Sequence, residues 1–300
     1  MKRKPIAEII LVILAAILYF GANIQRVAIP GAIFDVLQQD LLTSAKCITA
    51  LGTTFMYVYA LCQLVIGILV TRYGGFRVIR LGAILFFVGS ILFPIAHTLP
   101  MLYFSRVLIG FGSATFYLGM IDETKKLVPK KNFGLALSII LLVGYFGGIV
   151  ANAPLVICIN QLGWRETFLI TGIAAAIIVL LYLIIDKTID KQPTDKSIHL
   201  NLDLFKEVLA KKKNTILYTT ICLNYALYYV LQTILGKKFL EDFCQISVIK
   251  AATILSIMGA LYALSGPLCA FLSKLLLYRK TIFFKITAFN LLVTFLIILV

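Results

Sequence analysis

The chain has 300 residues, of which 61% are hydrophobic and only 14% are charged, and its mean hydropathy is +1.00. Soluble domains contain about 45–50% apolar and about 25% charged residues, so this composition excludes an ordinary soluble fold. The net charge of +15 would suit a nucleic-acid-binding protein, but the basic residues cluster between apolar runs and do not interleave with aromatic residues as in single-strand binders. We therefore expect an all-α polytopic membrane protein that binds no nucleic acid.

About nine apolar runs follow one another, and each is long enough for a helix across roughly 30 Å of hydrocarbon. Such helices satisfy their own backbone hydrogen bonds in lipid. The runs lie at 6–29, 47–70, 79–96, 100–121, 134–159, 166–185, 215–235, 249–276 and 281–300. We therefore predict an N-terminal six-helix transmembrane bundle at 1–185, a linker at 186–214 and three further helices at 215–300.

The linker combines a polar first part with apolar residues at helical spacing beside lysines. This pattern favours an amphipathic helix on the anionic inner leaflet, and a solvated linker is the alternative. Lys and Arg are concentrated at the N-terminus and in every second connection. By the positive-inside rule we predict a multi-pass protein of the cell inner membrane, with the N-terminus and the linker in the cytoplasm.

The turn after the second run carries the most specific pattern, Gly67-Ile-Leu-Val-Thr-Arg72-Tyr-Gly74-Gly75-Phe-Arg77. Gly74 and Gly75 permit the positive φ of a tight turn, and Gly67 would let another backbone approach the second helix. Three more patterns follow in chain order. They are Arg106-Val-Leu-Ile-Gly110-Phe-Gly112, Gly144-Tyr-Phe-Gly147-Gly148 and Leu162-Gly163-Trp164-Arg165.

Together these patterns resemble the major facilitator superfamily of membrane transporters. Its loop signature is Gly-x-x-x-Asp-Arg-x-Gly-Arg/Lys-Arg/Lys, its fourth helix carries Arg-x-x-x-Gly-x-Gly, and its fifth helix is rich in glycine. A degenerate copy of the turn follows Gly266, as expected for a fold built from repeats. Thr71 and Lys274 stand where the family has Asp, so both copies lack the acidic partner of the family's salt-bridge network.

The resemblance implies the superfamily's fold, with helices 1–6 as one bundle and helices 7–9 as the start of a second. Because family members have about twelve helices, it also implies an incomplete, three-helix C-terminal bundle that lacks the last three helices. Arg26 and Gln63 are similar to residues of bacterial organic-anion and sugar-phosphate-type porters.

Polar side chains within two runs are candidates for substrate binding. Asn23 and Arg26 lie in the first run, where Arg26 could pair bidentately with a carboxylate or phosphate or snorkel towards the external surface. The seventh run contributes Asn224, Tyr225, Tyr228 and Gln232. Spacing by four residues places Asn224, Tyr228 and Gln232 on one helical face. Such a face lines a cavity or bonds to another helix, and the tyrosines could instead anchor the helix at the interface.

A second set of residues is expected to act in gating or in helix packing, and Arg106 is included because an intramembrane arginine needs a cavity or a partner. The set consists of Gly67, Arg72, Gly74, Arg77, Arg106, Gly110, Gly112, Gly144 and Gly148. Asp122 and Glu123 lie beside two lysines after the fourth run. They form either a solvated charge cluster or a gating or proton-coupling group.

We interpret the chain as a secondary active transporter, a permease working as symporter or antiporter, for a small organic solute that we expect to be anionic. We expect a monomer, coupled to a proton or a counter-anion. No catalytic or metal-binding pattern occurs in the sequence, so we expect no enzyme activity and no cofactor. Because the sequence ends within an apolar run, the alternative is a transport-inactive remnant or a regulatory membrane protein of the same family.

Overall fold

A computed structural model describes residues 5–189, 210–231 and 236–275. Within these ranges the regular structure is helical throughout and contains no strand. The elements are α1 (Pro5–Ala28), α2 (Phe34–Asp40), α3 (Ala45–Tyr73), α4 (Gly75–Ile95), α5 (Leu99–Leu127), α6 (Lys130–Val150), α7 (Ala153–Leu162), α8 (Trp164–Asp186), α9 (Lys212–Tyr229), α10 (Gly236–Lys238), a π-helical turn (Phe239–Phe243) and α11 (Val248–Leu275).

Seven of the described helices are long and apolar enough to cross a bilayer, namely α1, α3, α4, α5, α6, α8 and α11. They correspond to the first six predicted runs and the eighth, so the all-α, polytopic prediction is confirmed. Helix α9 covers the first part of the seventh run. It is less apolar than the seven spanning helices, because threonine, asparagine and tyrosine side chains replace aliphatic ones along it. The ninth run and most of the predicted amphipathic helix lie outside the described residues.

The fifth predicted run, 134–159, is divided, which corrects the expectation of one continuous helix. Helix α6 ends at Val150, and α7 begins at Ala153 with Pro154 in its first turn. Proline cannot donate a backbone hydrogen bond and is tolerated at that position. The hydroxyl of Ser256 on α11 donates to the carbonyl of Ile149 and accepts from the N–H of Ala153, both at 3.3 Å. The break therefore retains partners for its freed backbone groups.

The N-terminal helices pack closely where glycines face a neighbouring backbone. A Cβ atom added to Gly112 on α5 would lie 2.5 Å from the carbonyl oxygen of Gly82 and 2.6 Å from the nitrogen of Phe86, both on α4. Gly144 on α6 lies directly beneath the ring of Tyr19 on α1. Small residues at such crossings let membrane helices approach closely and gain van der Waals contact. The Gly144 contact holds α6 against α1, and these two helices carry part of the candidate site.

Gly112→Ala would force a methyl group against α4, whereas Gly134→Ala adds one where no atom of the described residues lies within 4 Å. We expect Gly112→Ala to destabilise the protein by about 1–3 kcal/mol, as overpacking does. Gly134→Ala should leave stability unchanged or slightly raised, because alanine favours a helix over glycine. Thermal unfolding of both purified variants in the same detergent measures the difference. Equal midpoints for the two variants would contradict the tight α4–α5 contact.

Candidate functional site

A small cavity lies between α1 and α6 on one side and α9 and α11 on the other. Its volume of about 20 Å³ leaves room for roughly one water-sized group. The residues that line it come from both halves of the chain: Asn23, Arg26, Val27, Tyr145, Gly148, Tyr225, Tyr228, Tyr229 and Tyr262. The structure therefore brings together four of the predicted binding residues, Asn23, Arg26, Tyr225 and Tyr228. The side chain of Asn224 and the whole of Gln232 lie outside the described part of the chain.

The guanidinium of Arg26 is held within the bundle by neutral groups. Its Nη2 donates to Oδ1 of Asn23 at 2.6 Å, and Nδ2 of Asn23 donates to the carbonyl of Tyr19 at 2.9 Å. The guanidinium carbon lies 5.9 Å from the ring centre of Tyr59 and 5.5 Å from that of Tyr229, within cation–π range. Asn23 thus orients the cation while two aromatic faces flank it.

Arg26 has no acidic partner among the described residues, and its buried Nε makes no hydrogen bond to them. The residue is only 7% exposed, which places it inside the protein rather than in a snorkelling position at the surface. An arginine keeps its charge at all physiological pH values, and a buried charge without a partner is unfavourable. The cavity therefore carries one fixed positive charge with a donor to spare, which suits an anion.

Aromatic rings connect the two halves around this charge. The rings of Tyr228 on α9 and Tyr262 on α11 stack with centroids 3.7 Å apart, and Tyr262 meets Tyr145 on α6 edge-on at 5.8 Å. Tyr225 stacks on Tyr229 at 6.0 Å. The sequence analysis missed Tyr145, Tyr229 and Tyr262. Tyr145 stands inside the glycine-rich pattern, but a single aromatic residue in an apolar run does not indicate which way its side chain points.

Arg106 lies in the core of the N-terminal bundle and does not line the cavity. It is fully buried, its Nη1 donates to the carbonyl of Gln25 at 2.9 Å, and its guanidinium lies 4.9 Å from the ring centre of Phe55. Gly110, one turn further along α5, lets α3 approach, since an added Cβ would be 3.0 Å from the carbonyl oxygen of Phe55. Arg106 therefore ties α5 to α1 and α3.

The turn between α3 and α4 has the geometry predicted for Gly74, whose φ is +83°. Gly75 does not share that positive φ; instead its small size lets the carboxylate-bearing end of α5 come close. The N–H groups of Gly75 and Phe76 donate to Asp122 at 3.2 Å and to Glu123 at 3.1 Å. Carboxylates at a helix N-terminus are favourable. These two carboxylates, which come from α5, therefore accept from the first N–H groups of α4.

The remaining residues of this pattern are less closely packed than predicted. Among the described residues, the nearest atom to a Cβ added at Gly67 would be Cδ1 of Leu118 at 3.9 Å, an ordinary contact, so no described backbone approaches Gly67 closely. Arg72 is exposed in the last turn of α3, and Arg77 is half-buried in the first turn of α4. Lys126 forms ion pairs with both Asp122 and Glu123, so this end of the bundle carries a cluster of paired charges.

At the opposite end, the second half closes over the first. The ammonium of Lys237 donates to the carbonyl of Gly31 at 3.3 Å and lies 3.6 Å from the carboxylate of Glu241. Gly31 follows the cavity residue Val27 by four positions, so this contact lies just beyond the cavity. The hydroxyl of Tyr229 also reaches Sδ of Met56 on α3 at 3.1 Å. Both contacts must break if the cavity opens at this end.

The turn before α8 is held at the same end. Nη1 of Arg165 donates to the carbonyls of Pro94 and Ala96 at 2.8 Å each, and Nη2 pairs with Asp40 of α2 at 2.9 Å. The guanidinium lies over the ring of Trp164 with a separation of 4.4 Å. Arg165 therefore connects the end of α4 to α2, a helix that the sequence analysis did not predict.

Comparison with known proteins agrees with this architecture. A sequence model of the Major Facilitator Superfamily matches residues 11–300. The chain belongs to that superfamily. A crystal structure of a bacterial homolog to the human lysosomal transporter Spinster, in an inward-facing and unoccupied conformation, has the same fold. The TM-score is 0.67 at 19% identity, and the match covers 91% of this chain and 64% of that chain.

Several relatives in sequence are transporters as well. The chain is 26% identical over 176 residues to the chloroplastic ascorbate transporter of Arabidopsis thaliana, a match that covers 58% of this chain and 32% of that protein. It is 24% identical over 166 residues to a probable sulfoacetate transporter of Cupriavidus necator, covering 55% and 38%. The chain thus spans about a third of the length of these relatives. It is a multi-pass membrane protein of a transporter superfamily, not an enzyme.

Lys237→Met removes the ammonium group that joins the two halves beyond the cavity. A hydrogen bond to a charged group contributes about 1.5–3 kcal/mol, so we expect the open form to become roughly ten-fold or more better populated. A cysteine introduced by Val27→Cys in a background without the six native cysteines reports this opening. A membrane-impermeant thiol reagent should label it faster in Lys237→Met, from one side of the membrane.

The matched control is Lys250→Met, which removes an exposed lysine at the start of α11 and should leave the labelling rate unchanged. Equal labelling rates in both variants and the parent would show that the Lys237 contact does not hold this end closed.

Proposed function

We propose that the protein is a secondary active transporter that carries a small organic anion across the cell inner membrane by alternating access. The observation that carries the proposal is the charge of Arg26, which is buried, faces the cavity and is held only by neutral groups of the described chain. A carboxylate, sulfonate or phosphate can supply the missing partner through two parallel hydrogen bonds from the guanidinium.

The position of the cavity supports alternating access. It lies between helices of the two halves, and transporters built from repeats bind their solutes at such interfaces near the middle of the membrane. A volume of about 20 Å³ is too small for an organic acid, so α9 and α11 must move away from α1 and α6 for a solute to enter. We assign 1–185 to one moving bundle and the helices from 215 onward to the other, with 186–214 as the linker between them.

The tyrosines indicate what accompanies the anionic group. Tyr145, Tyr225 and Tyr262 offer ring faces and hydroxyl groups at the cavity. A tyrosine side chain is a neutral donor and acceptor, so these groups add hydrogen bonds and apolar contact without adding charge. A compact organic anion with hydroxyl or C–H groups fits such a wall. The relatives named above, which transport ascorbate and, probably, sulfoacetate, handle anions of this size.

The distribution of charge supports a cytoplasmic N-terminus and linker. The basic residues Arg72, Arg77 and Lys126 lie at the end of the bundle where the basic connections cluster. Positive charge is retained on the cytoplasmic side during insertion. The end closed by Lys237 would then face outward. In this orientation the solute path opens to the outside when the Lys237 contact separates.

Arg26→Ala should abolish anion uptake while the protein still inserts into the membrane. Truncating one partner of a buried, hydrogen-bonded charge pair costs about 2–5 kcal/mol, so apparent affinity should fall by roughly 30-fold or more. Arg26→Lys keeps the charge but not the bidentate geometry and should retain a fraction of the activity. Uptake of labelled ascorbate, sulfoacetate and phosphate by cells expressing each variant measures the effect.

The control is Lys187→Ala, since that lysine is exposed beyond the end of α8 and far in sequence from the cavity residues. It should transport like the parent. If Arg26→Ala took up any of the three anions as well as the parent does, Arg26 would not be part of the solute site.

A further inference from the structure

We infer that the N-terminal bundle contains a second binding site, which takes a small uncharged phenol from the bilayer. The site is a cavity of about 160 Å³ between α1, α4 and α8, called the lateral cavity below. Among the described residues, its wall shares none with the wall of the cavity at Arg26. The inference does not depend on the proposed transport function.

Small residues on two facing helices leave the space of the lateral cavity. Four residues of α8 that line it recur at spacings of three and four, which places them on one helical face. They are Thr171, Ala174, Ala175 and Ile178. On α1 the wall includes Gly21, which has no side chain. Because side chains this short cannot fill the gap between the helices, a cavity remains.

Two buried polar atoms belong to residues of this wall and have no partner. Oε1 of Gln25 on α1 and Oγ of Ser90 on α4 make no hydrogen bond to the described residues. Gln25 is only 2% exposed and Ser90 only 1%, so neither side chain is well solvated from outside. A buried polar group without a partner is unfavourable. A ligand hydroxyl in the lateral cavity can supply a partner, by donating to Gln25 or by exchanging a hydrogen bond with Ser90.

The rest of the wall disfavours charge and a filling of water. As far as the structure describes it, no charged residue lines the lateral cavity, and the hydroxyl of Thr171 already donates to the carbonyl of Phe168 at 2.8 Å. A cavity of about 150 Å³ with aliphatic and aromatic walls stays dry and binds benzene, and a buried water needs about two to four polar partners. The space therefore suits one six-membered ring that carries one polar group.

The lateral cavity also has the orientation that a phenol adopts in a bilayer. Gln25 lies in the last turn of α1 and Ser90 in the last third of α4, whereas Ile17 and Ile178 line the wall nearer the middle of their helices. Tyrosine side chains at membrane interfaces likewise keep the ring in the apolar region and the hydroxyl near the surface. Ile17 is 37% exposed, so the rim faces the hydrocarbon and a ligand can enter from the side.

The experiment measures binding to the purified full chain in detergent by fluorine NMR. The probe is para-fluorophenol, and the comparison ligand is fluorobenzene, which has the same ring without the hydroxyl. We expect saturable line broadening for both ligands. The phenol should bind roughly ten-fold more tightly because it gives a buried polar atom its partner. Gln25→Leu removes the acceptor and should bring the two affinities close together.

Ala175→Leu places a longer side chain in the lateral cavity and should abolish the saturable binding of both ligands. The matched control is Ala176→Leu, a half-buried position of α8 that is not part of this wall. It should bind both ligands as the parent does. If Ala175→Leu does not fold, the ratio of the two affinities in the parent and in Gln25→Leu decides by itself.

Absence of saturable binding to the parent would overturn the inference, and so would equal affinities of the parent for the two ligands. Unchanged binding to a folded Ala175→Leu would place the ligands elsewhere and have the same consequence. Displacement of para-fluorophenol by added phospholipid would also overturn it, because the lateral cavity would then hold a lipid chain. Since binding is measured without transport, none of these results bears on the proposed function.

Discussion

A permanently charged guanidinium enclosed by neutral groups is the constraint on which the rest of the site depends. Arg26 cannot be neutralised by losing its proton, so its surroundings must tolerate a charge. Asn23 accepts a hydrogen bond from it and the faces of Tyr59 and Tyr229 attract it weakly, yet none of these cancels it. In the transport function proposed above, the choice of solute would follow from how this charge is compensated.

The other ion pairs of the described residues lie at helix ends and in turns. Arg80 pairs with Asp186 at 3.1 Å where α4 and α8 meet, and Arg165 pairs with Asp40 at the opposite end. Both partners of the Arg165–Asp40 pair are partly exposed, and exposed pairs contribute modestly to stability, whereas Asp186 is buried and its charge is compensated by the partly exposed Arg80. These pairs fix the helix ends, while Arg26 alone faces the cavity as a charged group.

Hydropathy and loop charge predicted most of the fold because a bilayer restricts spanning segments to long apolar helices. The break between α6 and α7 was missed, because proline occurs inside intact membrane helices as well. The backbone groups freed by this break bond to Ser256, a residue distant in sequence, and that contact could not be read from the local pattern. Arg26 and Asn23 stood out as polar residues in an apolar run. Tyr145 and Tyr262 did not, because the direction of an aromatic side chain depends on neighbours that are distant in sequence.

The two kinds of helix contact explain how such a chain can move as rigid halves. Within the first half, Gly112 and Gly144 let helices meet with no space to spare, and close-packed contacts of this kind shift little. Between the halves, α11 meets α6 through the Ser256 hydrogen bonds and the Tyr145–Tyr262 ring contact. Neutral hydrogen bonds contribute only about 0.5–1.5 kcal/mol each, and aromatic pairs a similar amount. In the proposed alternating-access cycle, the interface that rearranges is therefore the one whose hydrogen bonds and ring contacts can be replaced by others.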